Sequence, residues 1–385
     1  MSIVKRAVGL AAFLCLAVLV CPISASASSN QLLYVHEASS LITYSVNPKT
    51  AVATKLGSLY MNALQSYPVQ VFHSPTSPYI YILGFVSATE EYFWVHATTP
   101  EGVPTENPIQ KLAVKPSLTQ FFIHPNGHFA YALYSWTDQT TGQFVGDIVL
   151  YTINPKTGKL TNTRKPVANF PANYYWQTFL YGFNSTGTKF YTRAYVDFRD
   201  SNGNDFYSYE VNSNTGALTG GTFFWRDDGA NQGSDFSAIG DKLIGEDFNF
   251  NECCGYAGIH ILKNSANATT ANPIIACTSN MLAECGDNES IQFDPTGKYL
   301  FLTTTTNNTK VIAIDLATRK LKKTGASMSD APKNGVTFSP DGMLAYAIKD
   351  PNEVLVYAFN PANGLFTAHS SFTVPSQIGQ LVPAK

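Results

Sequence analysis

A four-residue strand signature recurs seven times along this chain, and no other feature restricts its fold as strongly. It reads aromatic or aliphatic, any residue, aliphatic, then a closing position that is usually a turn residue. The copies are Tyr44–Asn47, Phe93–His96, Tyr151–Asn154, Tyr209–Asn212, Ile259–Leu262, Ile312–Asp315 and Tyr357–Asn360, with successive starts 49, 58, 58, 50, 53 and 45 residues apart. Side chains alternate across a strand, so the first and third positions of each copy share one face. Four copies run into a turn, most clearly at Asn154-Pro155-Lys156-Thr157-Gly158. There Pro presets φ and Gly supplies the positive-φ position, which reverses the chain. Leu160, Leu218 and Phe366 restart the next strand.

A second signature precedes the later copies. Phe293-Asp294-Pro295-Thr296-Gly297-Lys298-Tyr299 and Phe338-Ser339-Pro340-Asp341-Gly342-Met343-Leu344 are near twins, and Ile123-His124-Pro125-Asn126-Gly127-His128-Phe129 matches them. Each unit therefore reads strand, tight turn, strand, loop, strand, tight turn, strand. A four-stranded sheet of this kind hides its two apolar faces only against neighbouring sheets, and radial closure supplies them. After Asn30 no sustained 3.6-residue apolar stripe occurs, which disfavours crossover helices. The expected fold class is all-β, a seven-bladed β-propeller of four-stranded antiparallel blades over residues 28–385. Asn30 enters directly at a second strand, Leu32–Ala38. The spare segment Gln377–Val382 is therefore expected to pair beside it, closing the ring with the C-terminal strand.

These repeats resemble those of the seven-bladed lactonase-type propellers, the YVTN-repeat family. The motif Pro340–Tyr346 and the Tyr-x-Val/Ile-Asn-Pro-x-Thr-Gly turns carry the likeness, with Tyr34-Val35-His36-Glu37 as a degenerate copy of the naming motif. The resemblance implies the propeller fold over nearly the whole chain. It also implies that a catalytic member would use His, Arg and acidic side chains around a central funnel, with a His after the Pro that enters an innermost strand. Here those positions hold Val69, Ser117 and Lys333. On that departure the chain reads as a binding or interaction protein presenting a long-loop face to a ligand, glycan or protein. The alternative is a 6-phosphogluconolactonase-like lactone hydrolase with a divergent funnel site.

Composition narrows the partners. Charged residues are 14% and aromatics 13% of the chain, and the net charge is −2. Disordered chains and coiled coils need the opposite balance, and no basic excess exists to displace counterions from nucleic acid. Lys5 and Arg6 ahead of the apolar run Ala7–Val20, then Ser24-Ala25-Ser26-Ala27, read as a secretory signal peptide over residues 1–27. The mature chain is expected to be secreted, extracellular or periplasmic, without a membrane span, and monomeric. Four cysteines follow the leader: Cys253, Cys254, Cys277 and Cys285. In an oxidising compartment they read as two disulfides with three possible pairings. Adjacent Cys253 and Cys254 lack the gap of a zinc knuckle, so no metal is expected.

The repeat also sorts the loops. Turns within strand pairs one-two and three-four lie on one face and are short. Connections two-three and between blades emerge on the other, and the long ones are Thr137–Gly146, Arg164–Gln177, Asp197–Asp205, Arg226–Asp235 and Asn249–Gly258. Long loops on a rigid scaffold are where binding resides. The expected ligand-binding residues there are Trp136, Tyr174, Tyr175, Trp176, Gln177, Trp225, Asp287 and Asn334. Asp235, Glu289 and Lys333, at the starts of innermost strands, are the catalytic candidates, as a general base and an anion partner. His124 and His128 resemble a metal pair, yet His124 fills a repeat slot held elsewhere by turn-capping Ser74, Asn184, Asp294 and Ser339. Asp200–Asp205 reads as a hairpin turn, because its Gly is displaced from the calcium-loop position and no Glu completes it. No motif for a cofactor occurs.

Overall fold

A computed structural model describes residues 30–61, 70–87, 89–115, 117–137, 140, 144–169, 176–184, 186–198, 201–227, 236–239, 242–249, 256–263, 288–304, 308–315, 320–329 and 335–384. Every named element is a strand, and every pairing is antiparallel. The first sheet contains β1 (Gln31–Glu37), β2 (Ser40–Val46) and β3 (Ala53–Tyr60). The second holds β4 (Gln70–His73), β5 (Tyr79–Ser87), β6 (Glu90–Ala97) and β7 (Gln110–Val114). The third holds β8 (Leu118–Ile123), β9 (Phe129–Thr137), β10 (Phe144–Ile153) and β11 (Leu160–Asn169). The fourth holds β12 (Trp176–Phe183), β13 (Lys189–Phe198), β14 (Ser201–Val211) and β15 (Leu218–Asp227). In the fifth, β16 (Phe236–Ile239), β17 (Lys242–Asn249) and β18 (Tyr256–Lys263) are described. The sixth holds β19 (Asn288–Phe293), β20 (Tyr299–Thr304), β21 (Asn308–Asp315) and β22 (Lys320–Ser329). The seventh holds β23 (Thr337–Phe338), β24 (Leu344–Asp350), β25 (Glu353–Asn360) and β26 (Leu365–Thr373). Finally β27 (Ile378–Ala384) returns to the first sheet, whose order is β27-β1-β2-β3.

All seven signature copies fall on corresponding strands, β2, β6, β10, β14, β18, β21 and β25. The C-terminal segment does pair beside the first strand, with Leu32 opposite Ala384 and Val35 opposite Leu381, and it runs two residues past the expected Val382. Burial explains the strand compositions. β25 is apolar through its length because neighbours cover both its faces, whereas the outer strand β26 alternates exposed and half-buried residues. Apolar clusters join the first sheet to the second through Tyr34, Val71 and Ile80, and the second to the third through Phe93, Phe121 and Tyr151. The seventh sheet packs on the first: Val354 and Val356 share a cluster with Leu33 and Val35, and the Tyr44 and Phe372 rings lie 4.3 Å apart.

The short-turn face is where the sheets lock together. At several of the described turns a glycine in the left-handed conformation closes the reversal, and its missing Cβ is the space into which the preceding sheet packs a side chain, whereas Ala51 at φ 60° takes that place between β2 and β3. In the three-four turns, Gly158 receives the Tyr79 ring, Gly216 the Phe129 ring and Gly364 the Tyr299 ring. In the one-two turns, Gly187 lies against the His124 ring and Gly342 against Pro295. Hydroxyls reinforce the same seams, as Tyr79 donates to the Lys156 carbonyl at 2.6 Å and Tyr131 to the Gly216 carbonyl at 2.7 Å. Between innermost strands, Gln380 of β27 accepts from the Val71 amide and donates to the Val71 carbonyl of β4.

Two expectations change in detail. Asp197–Asp205 is not a long loop, because the β13–β14 ladder continues to the pairs Asp197–Asn202 and Phe198–Ser201. Backbone pairing at a ladder's outer end does not depend on apolar side chains, so its polar composition hid the strand. For the same reason β11 runs on to Asn169, and Trp176 begins β12 rather than sitting in a loop. His124 behaves as its repeat slot implies. Its ring is buried, Nδ1 accepts the Asn126 amide at 3.1 Å, and Nε2 donates to the Gly187 carbonyl at 2.8 Å.

That arrangement leaves the His124 ring no room to move, so Gly187→Ala should be costly. A Cβ at residue 187 would stand 2.7 Å from His124 Cε1, whereas one at Gly325, also at positive φ, meets nothing within 4 Å. Both substitutions carry a left-handed penalty of about 1–2 kcal/mol. Urea midpoints should show Gly187→Ala destabilised clearly beyond Gly325→Ala, and equal losses would contradict the packing described.

Candidate functional site

The seam between the second and third sheets changes character along its length. Its lower part is apolar: Leu83, Phe93 and Val95 face Phe121, Ala132, Val149 and Tyr151. One alternation step further toward the long-loop face, polar groups replace them. Glu91 lies in line with Phe93 and Val95 and pairs across strands with Val114. On the facing sheet Asp147 is the cross-strand partner of Tyr134, one step beyond Val149 and Ala132. The sheets diverge here around a cavity of about 770 Å³. Ala113, Val114 and Lys115 line it from the β7 side, and Ser117, Tyr134, Trp136, Asp147, Asn162 and Arg164 from the other.

Each polar group has a distinct setting. Tyr134 and Tyr151 share a hydroxyl–hydroxyl hydrogen bond of 2.5 Å, and Asn162 Nδ2 donates to the Tyr151 oxygen at 2.9 Å. Burial raises both phenol pKa values, and the negative charge of Glu91 adds to the effect. Glu91 itself is 2% exposed, and one of its carboxyl oxygens is buried without a hydrogen-bond partner. Burial pushes its pKa up to about 7. Burial also raises the pKa of Asp147, against which the nearby Lys115 ammonium acts in the opposite direction. Trp136, at the end of β9, is 41% exposed and forms an indole wall.

Arg164 departs from the repeat. Opposite Leu150, β11 carries a bulge, and Arg164 sits in it at φ 58°, with its amide donating to Asn162 Oδ1 at 2.7 Å. In β22 the equivalent bulge is built on Thr324 and Gly325. Thr324 donates to the Val311 carbonyl at 2.8 Å, as Thr163 does to that of Leu150. The positive-φ residue there is Gly325, at φ 81°. An arginine therefore occupies a backbone position suited to glycine, and it does so at the cavity wall. Strained non-glycine residues concentrate at working sites, and bulges re-aim side chains.

Of the expected binding residues, Trp136 lines this cavity. For Trp176, Gln177, Trp225 and Glu289 the structure describes the backbone: β12 opens with Trp176 and Gln177, Trp225 is near the end of β15, and Glu289 is near the start of β19. Tyr174, Tyr175, Asp235, Asp287, Lys333, Asn334, the four cysteines and the leader lie outside the described residues. Among the described residues no group of three or more His, Cys, Asp or Glu side chains is arranged to hold a metal, and no helix is long and apolar enough to cross a membrane. Lys115, Asp147, Arg164 and Glu91 were not anticipated. For Glu91 a signal existed, because it stands two residues before the signature Phe93. The other copies hold Ile42, Val149, Tyr207, Ala257, Lys310 and Leu355 at that position.

No protein-family model matches the chain, and no curated protein matches it. Solved structures do. An oligogalacturonate lyase in complex with manganese is 12% identical with a TM-score of 0.50, over 90% of this chain and 84% of the lyase. Kluyveromyces lactis Hsv2 is 10% identical, TM-score 0.49, over 92% of this chain and 95% of its own. The periplasmic gluconolactonase PpgL of Pseudomonas aeruginosa is 14% identical, TM-score 0.43, over 92% and 85%. At such identities the likeness is one of fold, and it describes a propeller-like, all-β chain.

The buried setting of Glu91 is testable by pH. In the unfolded chain its carboxyl titrates near 4.5, and in the folded protein near 7, so between these values the folded state binds more protons. Stability should then fall as pH rises from about 4.5 to about 7. Glu91→Gln removes that loss and should be more stable than the parent above pH 7, by a gap of about 3 kcal/mol that closes toward pH 4.5. Urea midpoints of the two proteins that run parallel across this range would contradict the buried setting of Glu91.

Proposed function

We propose that this protein is a secreted, seven-bladed β-propeller that binds a small molecule or a short glycan segment in the cleft between its second and third sheets. The cavity walled by exposed Trp136 and by Lys115, Asp147 and Arg164 carries this reading. Its volume falls within the roughly 300–1,000 Å³ range of ligand sites, and it joins an apolar and aromatic wall to a few polar groups. It opens on the face where the repeat places its longer connections. Pairing of β27 with β1 and packing of the seventh sheet on the first support a ring closed by the C-terminal strand. The leader over residues 1–27 supports secretion, and the four remaining cysteines are proposed to form two disulfides.

A binding role is preferred over hydrolysis. The positions implied by the lactonase resemblance hold Val69, Ser117 and Lys333 in place of His, and Ser117 itself lines the cleft. Titration of purified protein with a panel of sugars and small organic acids, followed by tryptophan fluorescence, tests this reading. Trp136→Ala should weaken the best binder at least about tenfold, since a buried aromatic contact contributes on the order of 1–2 kcal/mol. Its urea midpoint should stay near the parent value because the indole is partly exposed. Lactone turnover that survives Trp136→Ala but is lost in Glu289→Ala or Lys333→Ala would instead support a hydrolase acting at the funnel.

A further inference from the structure

The charges on the cleft walls specify more than a generic ligand. Lys115 and Arg164 both line the cavity, and neither has an ion-pair partner within 4 Å among the described residues. A guanidinium presents paired donors that match a carboxylate, and an ammonium adds a point charge. One carboxyl, Asp147, is half-buried in the same wall beside Lys115. Glu91 lies beneath, facing Tyr134 of β9 and Tyr151 of β10. With Glu91 protonated, two cations oppose one carboxylate, and the described lining carries a single excess positive charge.

We propose that the cleft selects a monocarboxylate borne on a ring, with the carboxylate held by Arg164 and Lys115 and the ring resting on the Trp136 indole. A monoanion neutralises the excess charge, whereas a phosphate dianion overshoots it and meets Asp147. The backbone of Arg164 supports the same assignment. The corresponding bulge in β22 relieves its left-handed position with Gly325, while β11 retains a guanidinium there at a conformational cost. Thr163 and Thr324 make the same anchoring bond in the two bulges, so the anchor itself is common to the arginine and the glycine that follow.

This inference rests on the cleft being the binding site, and the test separates the two claims. Calorimetric titration at pH 6 would use D-glucuronate, D-glucose, glucose 6-phosphate and phenylacetate against the parent, Arg164→Gly, Lys115→Met and Trp136→Ala. The expected result is a carboxylate preferred at least about tenfold over both glucose and glucose 6-phosphate. Glucuronate or phenylacetate as the tighter probe identifies a sugar acid or an aromatic acid as the source of that carboxylate. Arg164→Gly should lose about tenfold or more in carboxylate affinity while its urea midpoint equals or exceeds that of the parent, an outcome that misfolding cannot produce. Equal binding of glucose, or preference for the phosphate, with loss in Trp136→Ala alone overturns the carboxylate assignment and leaves the cleft in place. Failure of all four probes to bind overturns both.

Discussion

Left-handed glycines in the hairpin turns govern how the sheets meet. At Gly158, Gly187, Gly216 and Gly364 the absent Cβ is filled by an aromatic or imidazole ring from the preceding sheet. An L-residue would meet two penalties there, a disfavoured φ and a steric collision. Each turn thus acts as both a chain reversal and a docking point. The same device recurs from the second sheet to the third, the third to the fourth and the sixth to the seventh, so the described turns there interlock. Side-chain hydroxyls of Tyr79 and Tyr131, which donate to turn carbonyls of the next sheet, fix the register of those turns.

Interlocked turns on one face free the other. Sheets that are pinned at their short turns and filled along their middles by clusters such as Phe93, Phe121 and Tyr151 need not meet at the far end. Between the second and third sheets they part, and polar residues take over the seam. Glu91 and the Tyr134–Tyr151 pair lie at the point of change, and Trp136, Asp147, Lys115 and Arg164 stand beyond it. A buried carboxyl in a seam otherwise filled by rings and aliphatic groups costs stability as it ionises. Arg164 in a glycine-like bulge costs more. A strained backbone and a buried carboxyl that meet at one cavity point to a function that compensates.

The fold was legible in the sequence because a repeat reports its own architecture. Strand signatures, turn residues and spacing converge on one sheet-by-sheet plan, and the slot shared by His124, Ser74, Asn184, Asp294 and Ser339 marks His124 as a turn cap, in agreement with its hydrogen bonds. Strand ends were read less well. Pairs such as Asp197–Asn202 look like loop because hydrogen bonds, not side chains, hold them. The site was read in part. An aromatic at a strand end marked Trp136, but Asp147 and Lys115 are ordinary surface types in sequence, and their importance arises from two sheets facing each other. Arg164 becomes conspicuous only when its φ is compared with that of Gly325.

In the proposed ring, successive sheets support one another around a circuit that the C-terminal strand completes. Hydrogen exchange on a variant lacking residues 378–385 tests it most directly. If the circuit holds, amides of both β1–β2 and β24–β25 lose protection together, since the first and seventh sheets share one core built on Leu33, Val35, Tyr346 and Val356. Loss confined to β1, with β24–β25 as protected as in the full chain, would show that the sheets stand independently and would contradict the account.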